Sequence, residues 1–147
     1  MEDIDYMRIA LKEAEMSLLS DDVPVGCVIV KDDKIISSAH NCREKDGSAV
    51  NHAEIIAISK ACESLGSWRL HGCTMYVTLE PCPMCAGAVL NSRIPKVVYG
   101  LKNPKTGAMG SVVDLNSYPL NHKTKVVSGC CVDECREIIQ RFFKNKK

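Results

Sequence analysis

Apolar side chains at Met7, Ala10, Leu11, Ala14 and Leu18 recur at the spacing of one helical face. Residues ~4–19 are therefore expected to form an amphipathic helix. The stretch DDVPVG then breaks that periodicity. VGCVIV and KIISSA are short, apolar and rich in β-branched residues, and KDD separates them, which predicts a β-hairpin. The polar segment HNCREKDGSAVN is expected to be a loop with a glycine turn. Helical spacing resumes from His52 to Leu65 through Ile55, Ile56, Ile58 and Ala61. CTMYVTL is a strand pattern, and PMCAGAVLNS a helix with Pro83 near its first position. KVVYGL is a further strand, NPKTGAMGS a loop, KVVSG a last short strand, and Val132 to Lys146 the final helix.

A hairpin followed by alternating helices and strands implies a mixed sheet with helices on its faces, an α/β fold. The link from CTMYVTL to KVVYGL contains a helix, so those two strands should run parallel. In open sheets of this kind, sites gather where strands end and the next helices begin.

Composition narrows the picture. The chain has 147 residues, of which 25% are charged and 46% apolar, which suits a single globular domain. The first residues, MEDIDYMRIALKEAE, lack the basic start and apolar core of a signal peptide. No apolar run approaches the ~20 residues of a membrane span, so the expected location is the cytoplasm. The net charge is +1, so there is no global basic field, although the tail RFFKNKK is basic and carries two aromatics. That tail is a solvated helix end or a nucleic-acid contact. Nine cysteines, an odd number, do not suggest a disulfide framework. Cys27, Cys62 and Cys73 sit in apolar patterns and are expected to be small buried hydrophobes. Cys130 and Cys131 are adjacent, which is poor geometry for a bridge.

Cys82 and Cys85 stand apart from these, where a strand gives way to a helix, a place that favours thiolate. Three readings are open. The pair could be a redox couple, although Pro83 and Met84 between them and the preceding helix–hairpin–helix order argue against it. It could be half of a structural zinc knuckle, which needs four protein ligands; Cys27, Cys130 or Cys131 would have to complete it. Or it could join His52, at another predicted helix start, as three ligands with an open fourth position, the pattern of a catalytic zinc. Glu54 would then be the proton carrier. Two positions along a regular helix turn a side chain by ~200°. The two side chains share a pocket only if His52 is a cap with non-helical dihedrals.

HAE and PCPMC, each at a helix start and in that order, form the H-x-E…P-C-x-x-C signature of zinc nucleobase deaminases. The signature is accompanied by VPVGCVIV, NHAEIIAI, YVTLEPCPMCAGAVLNSRI, KTGAMGS, LNHK and DECREIIQRFF. From about Tyr6 to Phe143 the chain resembles the cytidine-deaminase superfamily. Within it, the chain resembles the bacterial tRNA-specific adenosine deaminases, which convert the wobble adenosine of an anticodon to inosine. The KTGxxGS loop, the Asn-His pair and the terminal FF point to that branch.

The resemblance implies a three-layer α/β/α fold on a mixed five-stranded sheet and one zinc-dependent deaminase domain over the whole chain. It implies one Zn2+ per subunit on His52, Cys82 and Cys85, with Glu54 moving a proton to adenine N1. Asn41 and the Ala53 backbone N–H would meet the base, and Val25 and Leu79 would line its pocket. Asn103 would sit in a loop beside the RNA backbone, and Asn121 and Phe143 would contact the tRNA anticodon stem-loop. Plain strand packing is an equal reading for Val25 and Leu79, and turn formation a near-equal one for Asn121. The family works as a homodimer. Asn103 is a departure, because the family often has Asp there. Two rival functions are open: deamination of a free base, guanine or cytosine, by the same four residues, and a non-catalytic zinc-stabilised RNA-binding module, which would have no need of Glu54.

Overall fold

Alternation along the strands builds two apolar faces. The side chains of Cys27, Ile29, Met75, Val77, Val97 and Tyr99 point to one side of the sheet. Val28, Val30, Tyr76 and Val98 point to the other. The strands are β1 (Gly26–Lys31), β2 (Lys34–His40), β3 (Cys73–Leu79), β4 (Lys96–Leu101) and β5 (Lys125–Val127), in the order β2-β1-β3-β4-β5. β1 runs antiparallel to β2 and β3, while β3, β4 and β5 are mutually parallel as neighbours. The hairpin turns on Asp32 and Asp33, both at positive φ, which matches the twist of the strands it joins. The structure is a computed structural model that describes residues 1–146; Lys147, the last residue of the basic tail, lies outside the described residues.

Helices α1 (Asp3–Ser17) and α5 (Val132–Lys144) cover one face, burying Tyr6, Met7, Ala10 and Cys135. Helices α3 (Ala53–Leu65) and α4 (Pro83–Asn91) cover the other with Ala53, Ala57, Ala61, Ala86 and Val89. The three-layer α/β/α architecture is the expected one. α1 lies directly on β1: a Cβ added to Gly26 would stand 1.8 Å from Ala10 O and 2.6 Å from Ala14 N. Only a glycine permits that approach.

The differences from expectation are local. α1 ends at Ser17 and continues as a single 3-10 turn, Leu18–Ser20, which Asp21 closes at φ 60°. The expected loop after β2 contains a short helix, α2 (Arg43–Asp46). Its start is capped from a distance: the buried Asp22 carboxylate accepts the N–H groups of Glu44 at 2.7 Å and Lys45 at 3.3 Å. A second 3-10 turn, Leu115–Ser117, follows the 103–111 loop, and Asp114 caps it through the Asn116 N–H. β5 stops at Val127. Cys27 and Cys73 are fully buried, but Cys62 is only half-buried at the end of α3. Among the described residues, no helix is long and apolar enough to cross a membrane.

Candidate metal centre and substrate pocket

The start of α3 and the start of α4 converge at the C-terminal end of β3. Pro83 opens α4, where its missing N–H costs nothing, so Cys82 becomes the cap and Cys85 projects from the first turn. His52 caps α3 with extended dihedrals, φ −73° and ψ 152°. That conformation removes the angular objection: His52 and Glu54 face the same cavity.

His52 Nδ1 lies 3.7 Å from Cys82 Sγ and 3.5 Å from Cys85 Sγ, and all three ligand atoms lie within 4.8 Å of one another. A tetrahedral zinc with ordinary bond lengths would hold such nitrogen and sulfur atoms about 3.5 Å apart. The donor set therefore fits zinc as it stands. Among the described residues this group comprises three ligands, so a fourth cysteine for a structural knuckle is not at hand.

The local electrostatics favour a metal as well. A hydrogen bond from the Cys85 thiol, helped by one from His52, lowers Cys82 to a pKa of about 4 despite burial. The same bond raises Cys85, with burial adding to it. Its bond to Cys82 raises His52. Burial pushes the Glu54 carboxyl up to about 7, into the range where a group both takes and gives a proton.

The cavity has a volume of about 460 Å³, and His52, Glu54, Cys82, Val25, Leu79, Asn41 and Asn103 line it. Asn41 is fixed on every side. Its N–H donates to Val25 O at 3.1 Å, and its C=O accepts from Ser17 Oγ at 2.9 Å. Its Oδ1 accepts the Ala53 N–H at 2.8 Å. The helix N–H fixes the amide orientation, so Nδ2, which has no protein partner among the described residues, faces the pocket as a donor. The Ala53 N–H, expected to meet the base, is the donor in this bond. Ala53 acts on the site by orienting Asn41.

Asn103 lies at the rim with its side chain in use: Oδ1 accepts from the N–H groups of Lys105 at 3.1 Å and Thr106 at 3.2 Å. Phe143 is 54% exposed on α5, packed edge-on against Phe142, and outside the pocket lining. Asn121 is exposed in the loop before β5, at the opposite end of the sheet.

Residue patterns did not reveal several lining groups: Asp21, Asp22, Arg43, Glu44, Thr106 and Lys146, nor the role of Glu80. Lys146 pairs with Asp21 at the mouth. Glu80 is buried and accepts the N–H groups of Asn103 at 3.1 Å, Met109 at 3.0 Å and Ser111 at 3.1 Å. A Cβ on Gly107 would stand 2.5 Å from that carboxylate. Glu80 therefore holds the 103–111 loop against the site. The glycines of KTGAMGS were the one sequence signal of a tightly wrapped loop.

The MafB19-like deaminase family matches this chain over residues 1–147. The tRNA-specific adenosine deaminase of Bacillus subtilis (strain 168) is 47% identical over 140 residues, 95% of this chain and 87% of that one. The chain belongs to the tRNA-specific adenosine deaminase family. A solved structure from studies of A-to-I editing by tRNA:A34 deaminases superposes with a TM-score of 0.89. It is 42% identical, with 91% of this chain and 98% of that chain covered. A guanine deaminase from Nitrosomonas europaea shares the fold at a TM-score of 0.78 and 22% identity, covering 95% of this chain and 83% of that one. The fold alone thus serves more than one base, and the substrate has to be argued from the site.

Proposed function

We propose that this chain hydrolytically deaminates the wobble adenosine of a tRNA anticodon to inosine, releasing ammonia. The observation that supports it best is the convergence of His52, Cys82, Cys85, Glu54 and the oriented Asn41 amide on one cavity. The likeness to a tRNA-specific adenosine deaminase at 47% identity and to a tRNA:A34 deaminase structure at 42% supports the choice of substrate.

His52, Cys82 and Cys85 would hold one zinc ion per subunit, which supplies an acidified water at neutral pH. Glu54 takes a proton from the attacking water and delivers it to adenine N1. This removes aromatic stabilisation and prepares C6 for attack. Glu54 then carries the second proton to the departing amine, so that water is consumed and ammonia leaves. The raised pKa of its buried carboxyl suits both directions of transfer. Asn41 Nδ2 donates to an acceptor on the base, while Val25 and Leu79 hold its faces. The cavity has room for a base, which reaches it by being splayed out of a loop. Asn103, Phe143 and the neighbouring loops would meet the RNA at the rim. Exposed Val112 and Val113 offer apolar surface for a homodimer contact. Such a reaction belongs in the cytoplasm.

The test is inosine formation in an arginine-type anticodon stem-loop, beside free adenine, guanine and cytosine. Inosine in the RNA is expected; turnover of a free base alone would overturn the reading. Glu54→Ala should retain zinc and RNA affinity and lose at least about a hundredfold in turnover. A non-catalytic RNA-binding module would be indifferent to that substitution.

A further inference from the structure

The pocket is poorly furnished for a polyanion. Its lining includes the acids Asp21, Asp22, Glu44, Glu54 and Glu80 against the cations Arg43 and Lys146, and Lys146 is already paired with Asp21. Lys102 and Lys105 flank Asn103 outside the lining. Phosphate contacts draw on positive charge, of which this lining holds little.

That charge lies at the other end of the sheet. Three segments, 64–74, 91–97 and 118–127, contain Arg69, Arg93, Lys96, Lys123 and Lys125 and no acidic residue. They form one continuous edge. Leu70 N–H donates to Ser92 O at 2.8 Å, His122 Nε2 lies 2.9 Å from Ile94 O, and Lys125 N–H donates to Pro95 O at 2.9 Å. Lys96 and Lys125 are register partners on parallel strands. None of the five cations is in an ion pair among the described residues. The Asp32–Asp33 turn shares this end of the sheet but belongs to the β1–β2 half.

At the centre stands Trp68, 52% exposed. The Arg69 guanidinium lies 4.1 Å from its ring centre and that of Arg93 5.7 Å. Arg93 sits at φ 66°, with its guanidinium donating to Leu90 O and Asn91 O at the end of α4. Two flat cations ordered around an exposed aromatic ring present both stacking faces and phosphate donors. Nucleic acid uses both features, whereas an acidic protein surface needs only the charge.

We propose that this edge binds the phosphodiester chain of RNA, as a second contact surface remote from the reacting nucleotide. β3 alone separates the edge from the pocket by roughly 20 Å. The occupant is therefore RNA beyond the reacting loop. The proposal rests on the RNA-substrate reading above.

The test is the salt dependence of binding by the full chain to a stem-loop RNA that carries guanosine at the reacting position, so that affinity is read without turnover. Arg69→Gln with Lys125→Gln should reduce the slope of log affinity against log salt by about 1.5 and raise Kd about tenfold near 0.1 M salt. Arg93 is left in place because it caps α4, which carries Cys85; zinc content and Tm report that the variant is folded. Lys12→Gln with Lys60→Gln, which removes the same charge elsewhere, should keep the wild-type slope. An unchanged slope in the first variant, or an equal change in both, overturns the proposal. RNA binding that weakens as expected in a protein that makes no inosine supports the edge and overturns the reaction assigned above. Inosine formation with an unchanged slope does the reverse.

Discussion

At the scale of single residues, the site works through orientation. Asn41 is held by its own N–H, its own carbonyl and its Oδ1, which leaves its Nδ2 donor facing the pocket. Asn103 carries the family departure. Its Oδ1 caps the turn formed by Lys105 and Thr106, and its Nδ2 donates to Thr106 Oγ1 at 2.8 Å. An aspartate accepts the same backbone bonds, and the threonine hydroxyl can turn to donate. Asn103→Asp should therefore change stability by less than about 0.5 kcal/mol, as surface changes do. The added negative charge should weaken RNA binding more at low salt than at high salt, because screening shortens its reach. Binding titrations at two salt concentrations check this, and an equal loss at both would sink the charge argument.

At the scale of elements, close approaches decide the architecture. Gly26→Ala drives a methyl group into the backbone of α1, and overpacking of this kind costs about 1–3 kcal/mol. Urea denaturation should show that loss with an unchanged slope. α2 depends on Asp22. Burial by itself would raise that carboxyl, but hydrogen bonds from Ser20 and from the N–H groups of Glu44 and Lys45 outweigh it and leave its pKa lowered. A lowered folded pKa means that the stabilisation is present above the ordinary aspartate range and fades as the pH falls through the folded value. The protection factors of the Glu44 and Lys45 amides, taken against intrinsic exchange at each pH, should thus stay high at neutral pH and fall only in acid. Asp22→Ala should remove the protection at all pH values, at a cost of about 1 kcal/mol for the lost cap. These two elements also show the limit of sequence patterns. The periodicity of α1, α3 and α4 was plain from chain positions alone. α2 was not, because its cap comes from a residue 22 positions before Glu44.

For the whole molecule, the metal and the fold are linked. The two cysteines and the histidine come from two helices that approach each other only in the folded chain, so zinc bound there stabilises that state by mass action. At a free zinc concentration a thousandfold above Kd this is about 4 kcal/mol, or about 10 °C in Tm for a chain of this size. Chelation followed by calorimetry should show a drop of that order, reversed by zinc. No drop would mean that the three ligands do not hold the ion.

The sequence by itself determined most of the elements, the α/β class, the chemistry of HAE with PCPMC and, through resemblance, the family and its three layers, because helical and strand periods and ligand spacings are local properties of a chain. It could not determine which groups share a cavity. Whether His52 and Glu54 face one pocket depended on the cap dihedrals of His52, which packing sets. That Glu80 clamps a loop, that Ala53 serves Asn41, and that Asn121 stands at the far end of the sheet follow from strand order and direction. These depend on contacts between residues distant in the chain, and only the tertiary structure brings such residues together.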